Sequence, residues 1–250
     1  MNMELRVLTY NIHRAIGVDR RFRPERIADI LAHHNADIVL LQEVDVGVPR
    51  SRELDLGLHL AERLGYPWHA TGLNVKLRRG MYGNATLSRY PIARSANIDL
   101  TIEGRKARGC LFSELELPGS YGRLPVFNLH LGLSFQERPR QVGRLVRSPE
   151  FSGLARQALC LVGGDFNDWW TRIAPIFTEA LEFTCATNHH TGYQNAIFTY
   201  PSFSPTGGLD KIFCRGPITV LGSRRCRLGL AKVASDHLPV IADLRITAAP

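Results

Sequence analysis

No apolar run in this chain approaches the roughly 18 consecutive residues that a membrane-spanning helix needs, so no helical channel or transporter is expected. Cysteine is sparse. Cys110, Cys160, Cys185, Cys214 and Cys226 are odd in number and lack metal-type spacing, which argues against a disulfide framework or a zinc site and for reduced thiols. Lysine is almost missing: 27 of the 31 basic residues are arginine. The opening Met1-Asn2-Met3-Glu4-Leu5-Arg6 has no apolar signal region, and the expected location is the cytoplasm.

What is present fits one globular domain over residues 1–250, with 44% hydrophobic and 22% charged residues. The formal net charge is +8. This balance points to an anionic partner: nucleic acid, an anionic membrane surface touched peripherally, or a small phosphoester. Arginine grips phosphate in bidentate fashion, although a compositional bias toward arginine would give the same count.

Alternation and apolar runs predict strands at Leu5–Tyr10, Asp37–Leu41, Asn84–Ser88, Ile92–Leu100, Arg108–Leu117, Leu124–Leu131, Leu159–Val162, Leu209–Cys214, Ile218–Leu221 and His237–Ile246. Helical spacing marks Arg23–His33, Glu53–Leu64, Arg138–Val146 and Trp170–Glu182. The segment Gly72–Gly83 reads as a basic, glycine-bounded loop, and Tyr200–Gly208 as a Pro/Ser/Gly loop. Helices between strands, with no linker, give an α/β fold. Asn11-Ile12-His13 and Asn128-Leu129-His130 form a weak echo, as two packed β-halves would.

Three polar clusters fall at or just past the ends of apolar runs: Gln42-Glu43, Gly164-Asp165-Phe166-Asn167-Asp168 and Ser235-Asp236-His237. Strand ends deliver distant residues to one crevice. Glu43 after a buried strand suits a Mg²⁺ ligand, because that ion takes one or two carboxylates with waters and substrate oxygens. Asn11 and Asp236 are candidates beside it. Asp165 and Asn167, if extended, face one way and could hold a water in line with phosphorus. An Asx turn is the plain alternative. His237 needs an orienting partner to fix its tautomer, and Asp210 is the candidate. His130 could stabilise developing phosphate charge. Asn84, Arg108, Arg138 and Trp169 are candidate substrate contacts, with Arg50, Arg52 and Trp170 behind them. The pairs His33-His34 and His189-His190 lack strand-end context and are assigned to surface or loop.

Taken in order, Thr9-Tyr10-Asn11-Ile12-His13, Leu41-Gln42-Glu43-Val44, Tyr82 to Ile92, Asn128-Leu129-His130, Gly164-Asp165-Phe166-Asn167, Leu209-Asp210-Lys211-Ile212-Phe213 and Ser235-Asp236-His237-Leu238-Pro239 resemble the endonuclease/exonuclease/phosphatase superfamily, most closely its small bacterial YbhP-like members. The resemblance spans nearly the whole chain. It implies a four-layer α/β/β/α sandwich, two packed mixed sheets flanked by helices. It implies that Glu43 ligates Mg²⁺ or Mn²⁺ with Asn11 and Asp236 nearby, and that His130, Asp165, Asn167, Asp210 and His237 carry out phosphoester hydrolysis. His130 stands where abasic-site repair enzymes of this superfamily have tyrosine, so that activity is disfavoured. The expected function is a divalent-metal-dependent hydrolase of a lipid head-group or small phosphoester. An endo- or exonuclease is the second expectation, and a catalytically inactive binding protein on the same scaffold the third.

Overall fold

The computed structural model describes residues 2–188 and 196–248; the His189-His190 pair lies outside them. The first half holds β1 (Asn2–Asn11), α1 (Pro24–His34), β2 (Ile38–Val46), α2 (Leu56–Leu64), β3 (Trp68–Lys76), β4 (Met81–Ser88), β5 (Ile92–Asp99) and β6 (Gly109–Glu116). Then come β7 (Arg123–His130), α3 (Glu137–Arg147), α4 (Pro149–Ser152), β8 (Cys160–Asp165), β9 (Thr184–Cys185), β10 (Asp210–Arg215), β11 (Ile218–Arg225), α5 (Ala231–Ala234) and β12 (Val240–Thr247).

The strands form two six-stranded sheets, β11-β12-β1-β2-β4-β3 and β5-β6-β7-β8-β10-β9. Both are wired alike. A central parallel pair, β1–β2 in one and β7–β8 in the other, is flanked on each side by antiparallel strands. The β-halves suggested by the sequence echo are therefore real, but the echo is out of register. Asn11 pairs with Gln42 at the end of β1–β2, and His130 pairs with Asp165 at the end of β7–β8. Asn11 thus corresponds to His130, not to Asn128, and His13 has left the strand altogether.

Side-chain alternation sorts each central strand into two faces. Leu8, Tyr10, Val39 and Leu41 join Ile27, Leu31 and Leu60 of α1 and α2 in one outer core. Phe127, Leu129, Val162 and Phe213 join Val142 and Leu145 of α3 and Phe151 of α4 in the other. The face between the sheets is apolar at one end, with Leu5, Val7, Ile38, Leu40, Val126, Leu161 and Ile212. Two residues further along the same strands it becomes polar, with Thr9, Gln42 and Asn128. At the final step it presents Asn11, His130 and Asp165. The parallel pairs run the same way, so these polar ends coincide.

The middle of this gradient is a hydrogen-bonded amide girdle. Gln42 donates to Thr9 and, at 2.8 Å, to Asn128 Oδ1. Asn128 donates across the sandwich to the carbonyls of Leu41 and Ala85, and Asn84 donates back to those of Asn128 and Gly109. Removing Asn128 takes a donor from two buried carbonyls and the shortest of three acceptors from Gln42, which keeps Thr9 and the Leu40 carbonyl. Asn128→Ala is expected to cost about 2–4 kcal/mol, read as a lower urea midpoint at unchanged slope. A loss under about 0.5 kcal/mol would show that the girdle contributes no stability.

Three expectations are corrected. Gly72–Gly83 is not a loop but most of the β3–β4 hairpin, with its turn at Leu77–Gly80. Its glycines mark close backbone approach: a Cβ on Gly83 would lie 2.0 Å from the Gly72 carbonyl oxygen. Of Trp170–Glu182 only residues 174–180 are helical, with a π-type turn at Ile176–Ala180; Thr171 takes a positive φ of 51° before it, and Pro175 sits in its first turn, where the missing N–H has no intrahelical partner to lose. His34 is not a surface residue. It is buried at the end of α1, and burial, with His33, Arg224 and Arg6 nearby, lowers its pKa to about 4.

Candidate active site

A cleft of about 210 Å³ opens where the polar strand ends meet. Asn11, Glu43, Arg108, His130, Asp165, Asn167, Trp169, Asp236 and His237 all line it, joined by Lys106, Leu133, Tyr200 and Leu209.

Asp165 is its centre. The strand β8 reaches it through Gly164, whose φ of +140° and close approach to β7 exclude a side chain: a Cβ would lie 1.9 Å from the Leu129 carbonyl oxygen. Asp165 Oδ1 accepts the Asn167 N–H at 2.9 Å, so an Asx turn is present. Asn167 is not extended; it lies past the strand with φ +49°, and its side-chain amide donates to the Leu131 carbonyl. Asp165 Oδ2 faces the other way. It accepts from Asn11 Nδ2 at 3.1 Å and has His130 Nε2 at 3.5 Å and His237 Nε2 at 3.7 Å. Two histidines thus flank one carboxylate oxygen. Burial raises the Asp165 pKa to about 6, with His237 opposing and Asp210 reinforcing the shift.

His237 precedes β12 rather than opening it, and its backbone N–H is held by the Ser235 hydroxyl. Its Nδ1 lies 2.8 Å from Asp210 Oδ2, which also accepts from the Thr199 hydroxyl. Burial disfavours the imidazolium, but the Asp210 and Asp165 carboxylates outweigh it and hold the His237 pKa up to about 10. Tyr200 packs on the His237 ring at 4.9 Å and meets Trp169 edge-on at 5.5 Å. His130 is set oppositely. Burial first, then Arg108, keeps its pKa well below the usual imidazole value. Its Nε2 lies 3.0 Å from Arg108 NH1; a guanidinium only donates, so Nε2 accepts and the ring proton is assigned to Nδ1. The partner of this histidine is an arginine.

Glu43 is not at a strand end. The β2–β4 register slips between Gln42 and Val44, leaving Glu43 unpaired at a bulge with φ +55°. Bulges re-aim side chains, and this one turns a carboxylate into the cleft. Its Oε2 is buried without a hydrogen-bond partner. An orphaned carboxylate oxygen in one cleft with the Asp236 carboxylate and the Asn11 amide is a hard, oxygen-only donor set that fits Mg²⁺ or Mn²⁺. Asp165, Asp210 and His237 also place ligand atoms within 4.8 Å of one another. In that group His237 and Thr199 engage Asp210 Oδ2, and although Asp210 Oδ1 is unpartnered like Glu43 Oε2, Asp210 does not line the cleft; Glu43, Asn11 and Asp236 are the residues that could hold a cation there.

The remaining candidates fall elsewhere. Asn84 is 2% exposed and belongs to the girdle. Arg138 is 3% exposed and donates to the carbonyls of Gly132 and Leu133, bracing the loop after β7. Arg50 clasps buried Asp45 with two 2.8 Å contacts, and Arg52 lies over Phe22. Trp170 is 76% exposed and outside the cleft lining. Sequence reasoning missed Lys106, Thr199 and Tyr200. Only their place in loops flanking strand ends could have flagged them.

A sequence model described as the Endonuclease/Exonuclease/phosphatase family matches residues 8–237. The chain is 30% identical to uncharacterized protein YbhP of Escherichia coli K12, over 96% of each chain. Among solved structures, an endonuclease/exonuclease/phosphatase from Beutenbergia cavernae superposes with a TM-score of 0.79 at 22% identity, covering 99% of this chain and 72% of that one. D. rerio TDP2 complexed with single-strand DNA product gives 0.73 at 18% identity, over 96% and 98%. A Bacteroides thetaiotaomicron mannosyl-6-phosphatase gives 0.71 at 18% identity, over 96% and 99%.

Proposed function

The chain belongs to the Endonuclease/Exonuclease/phosphatase family, and from that premise we propose that it is a divalent-metal-dependent hydrolase of a small phosphoester or lipid head-group ester. The observation that carries this reading is Asp165 Oδ2, flanked by His130 and His237 within 3.7 Å and poised by burial at a pKa of about 6. Ionised near neutral pH, this oxygen is placed to orient a water and take its proton. Asn11 and the Asn167 N–H hold the carboxylate still. Imidazolium His237, backed by Asp210, donates to a phosphoryl oxygen. Neutral His130 is fixed by Arg108, and that guanidinium with Lys106 brings positive charge to the cleft that receives the phosphate. Glu43, with Asn11 and Asp236, would hold Mg²⁺ or Mn²⁺, which supplies Lewis-acid stabilisation of charge on phosphoryl oxygens.

The small-substrate assignment draws on cleft size. About 210 Å³ is below the roughly 300–1,000 Å³ of sites for drug-sized ligands, and suits a phosphate with a short appendage. A nuclease would instead track many phosphates, and its affinity would fall steeply with salt. The test is kcat/KM on duplex DNA, single strands, RNA, phospholipids and small phosphodi- and monoesters under one Mg²⁺ condition. We expect a small or lipid phosphoester to be turned over best, with weak, non-specific nucleic-acid binding. Efficient nucleic-acid cleavage would overturn the substrate assignment and leave the hydrolase reading intact.

A further inference from the structure

Directly after Asn11 the backbone turns the wrong way. His13, Arg14 and Ala15 have φ of +45°, +61° and +57°, a run of three L-residues in the region that Cβ sterics oppose. It is held firmly. The His13 N–H donates to Asn11 Oδ1 at 3.1 Å, the His13 ring approaches the Ile16 carbonyl at 3.0 Å, and the Ala15 N–H donates to the Ile12 carbonyl at 2.8 Å. What this turn delivers is Arg14, whose Nε lies 3.4 Å from Glu43 Oε2.

That contact is unlike a structural ion pair. Arg50 closes on Asp45 with two hydrogen bonds. Arg14 and Glu43 make none: Arg14 Nε and Glu43 Oε2 are both buried and both lack a hydrogen-bond partner. Two opposite charges face each other, each with an unmet directional need. A cation meets that of Glu43 Oε2, and an anionic oxygen meets that of Arg14 Nε. A divalent cation with a phosphate meets both.

We infer that Arg14 is the resident counter-ion of the Glu43 carboxylate, displaced by the divalent cation and then free to bind an anionic oxygen of the substrate. This rests on the proposed reading of Glu43 as metal ligand. Two consequences follow from the charges. Arg14 weakens binding of the metal alone, since the cation must compete with a guanidinium for one carboxylate. Phosphate, by engaging Arg14, removes that competition, so metal and phosphate bind synergistically.

The test is Mn²⁺ binding without turnover, read from the free-ion EPR signal, with and without inorganic phosphate. In R14Q we expect Mn²⁺ alone to bind about fivefold more tightly, the worth of a partly exposed ion pair, and phosphate to lose the tightening it gives the wild type. R14K keeps the charge and should bind Mn²⁺ alone as the wild type does. Should R14Q fail to fold, R14N serves, because asparagine tolerates the left-handed region. Mn²⁺ affinity in R14Q no higher than in wild type, with binding lost in E43Q, would overturn this inference alone. Wild-type Mn²⁺ affinity in E43Q would overturn the Glu43 reading and this inference with it.

Discussion

Glu43→Ala is expected to lower kcat/KM by about 10³-fold or more, with the fold intact, because a lost metal contribution is worth several kcal/mol of barrier. The bulge makes this a clean experiment. Glu43 sits outside the β2–β4 pairing, and its Oε2 makes no hydrogen bond to lose, so its removal spares the ladder, at the cost only of the loose 3.4 Å approach of Arg14 Nε. The melting temperature should therefore stay close to that of the wild type while activity collapses. Glu43→Gln preserves shape and should fail almost as badly, since an amide oxygen carries no charge for a divalent ion. In the wild type, excess chelator should give the same loss, reversed by added Mg²⁺ or Mn²⁺. Full activity in chelator would remove the metal from the mechanism, and full activity in Glu43→Ala would remove Glu43 as its ligand.

The site was legible where it followed strand alternation and opaque where it depended on backbone leaving the strand. Asn11, His130 and Asp165 each end an inward-facing row, so strand-end position was enough to bring them to one crevice, although the sequence echo matched Asn11 with Asn128 and not with His130. The pairing of Asp210 with His237 was anticipated from chemistry: a working imidazole needs a partner to fix its tautomer, and Asp210 stood at a strand start. Glu43 was singled out for the wrong geometric reason. A bulge depends on two strands in register, and that information sits in β4 as much as in β2. Asn167 likewise reaches the cleft through a positive φ, not an extended backbone. Arg108 was named as a substrate contact, but its contact with His130 was hidden because it lies 22 residues upstream, across the β6–β7 pairing of Gly109 with His130. Glycine misled most. Gly72 and Gly83 read as loop punctuation, when the missing side chain of Gly83 is what lets β3 and β4 lie together beside the bulges and that of Gly72 makes room for Asn97 and Leu111. The sandwich itself needed none of these details, since the outer cores require only the period of two in strands and 3.6 in helices.

Asp210→Asn is expected to lower kcat by about 10²- to 10⁴-fold while leaving KM nearly unchanged, the pattern of an anion that orients and charges a histidine. Asp210 touches the cleft only through His237. Its Oδ2 receives His237 Nδ1 at 2.8 Å and the Thr199 hydroxyl, and it is 1% exposed. An asparagine in its place either offers its NH₂ to Nδ1, forcing the other tautomer, or keeps an oxygen there without charge. Both outcomes weaken the imidazolium. Burial opposes the charged ring, and the Asp210 carboxylate is the strongest of the influences that overcome it. In the metal-free protein, His237 should stay protonated up to about pH 10 in the wild type. In Asp210→Asn its titration should move down toward neutrality, because the burial cost remains and only Asp165 and Asp236 oppose it. Imidazole NMR shifts across pH give that midpoint, and steady-state kinetics give the kcat and KM split. A raised KM at unchanged kcat would make Asp210 a substrate contact. A reduced kcat with an unmoved His237 titration would place its effect in the fold, through Thr199, and not in the charge of the ring.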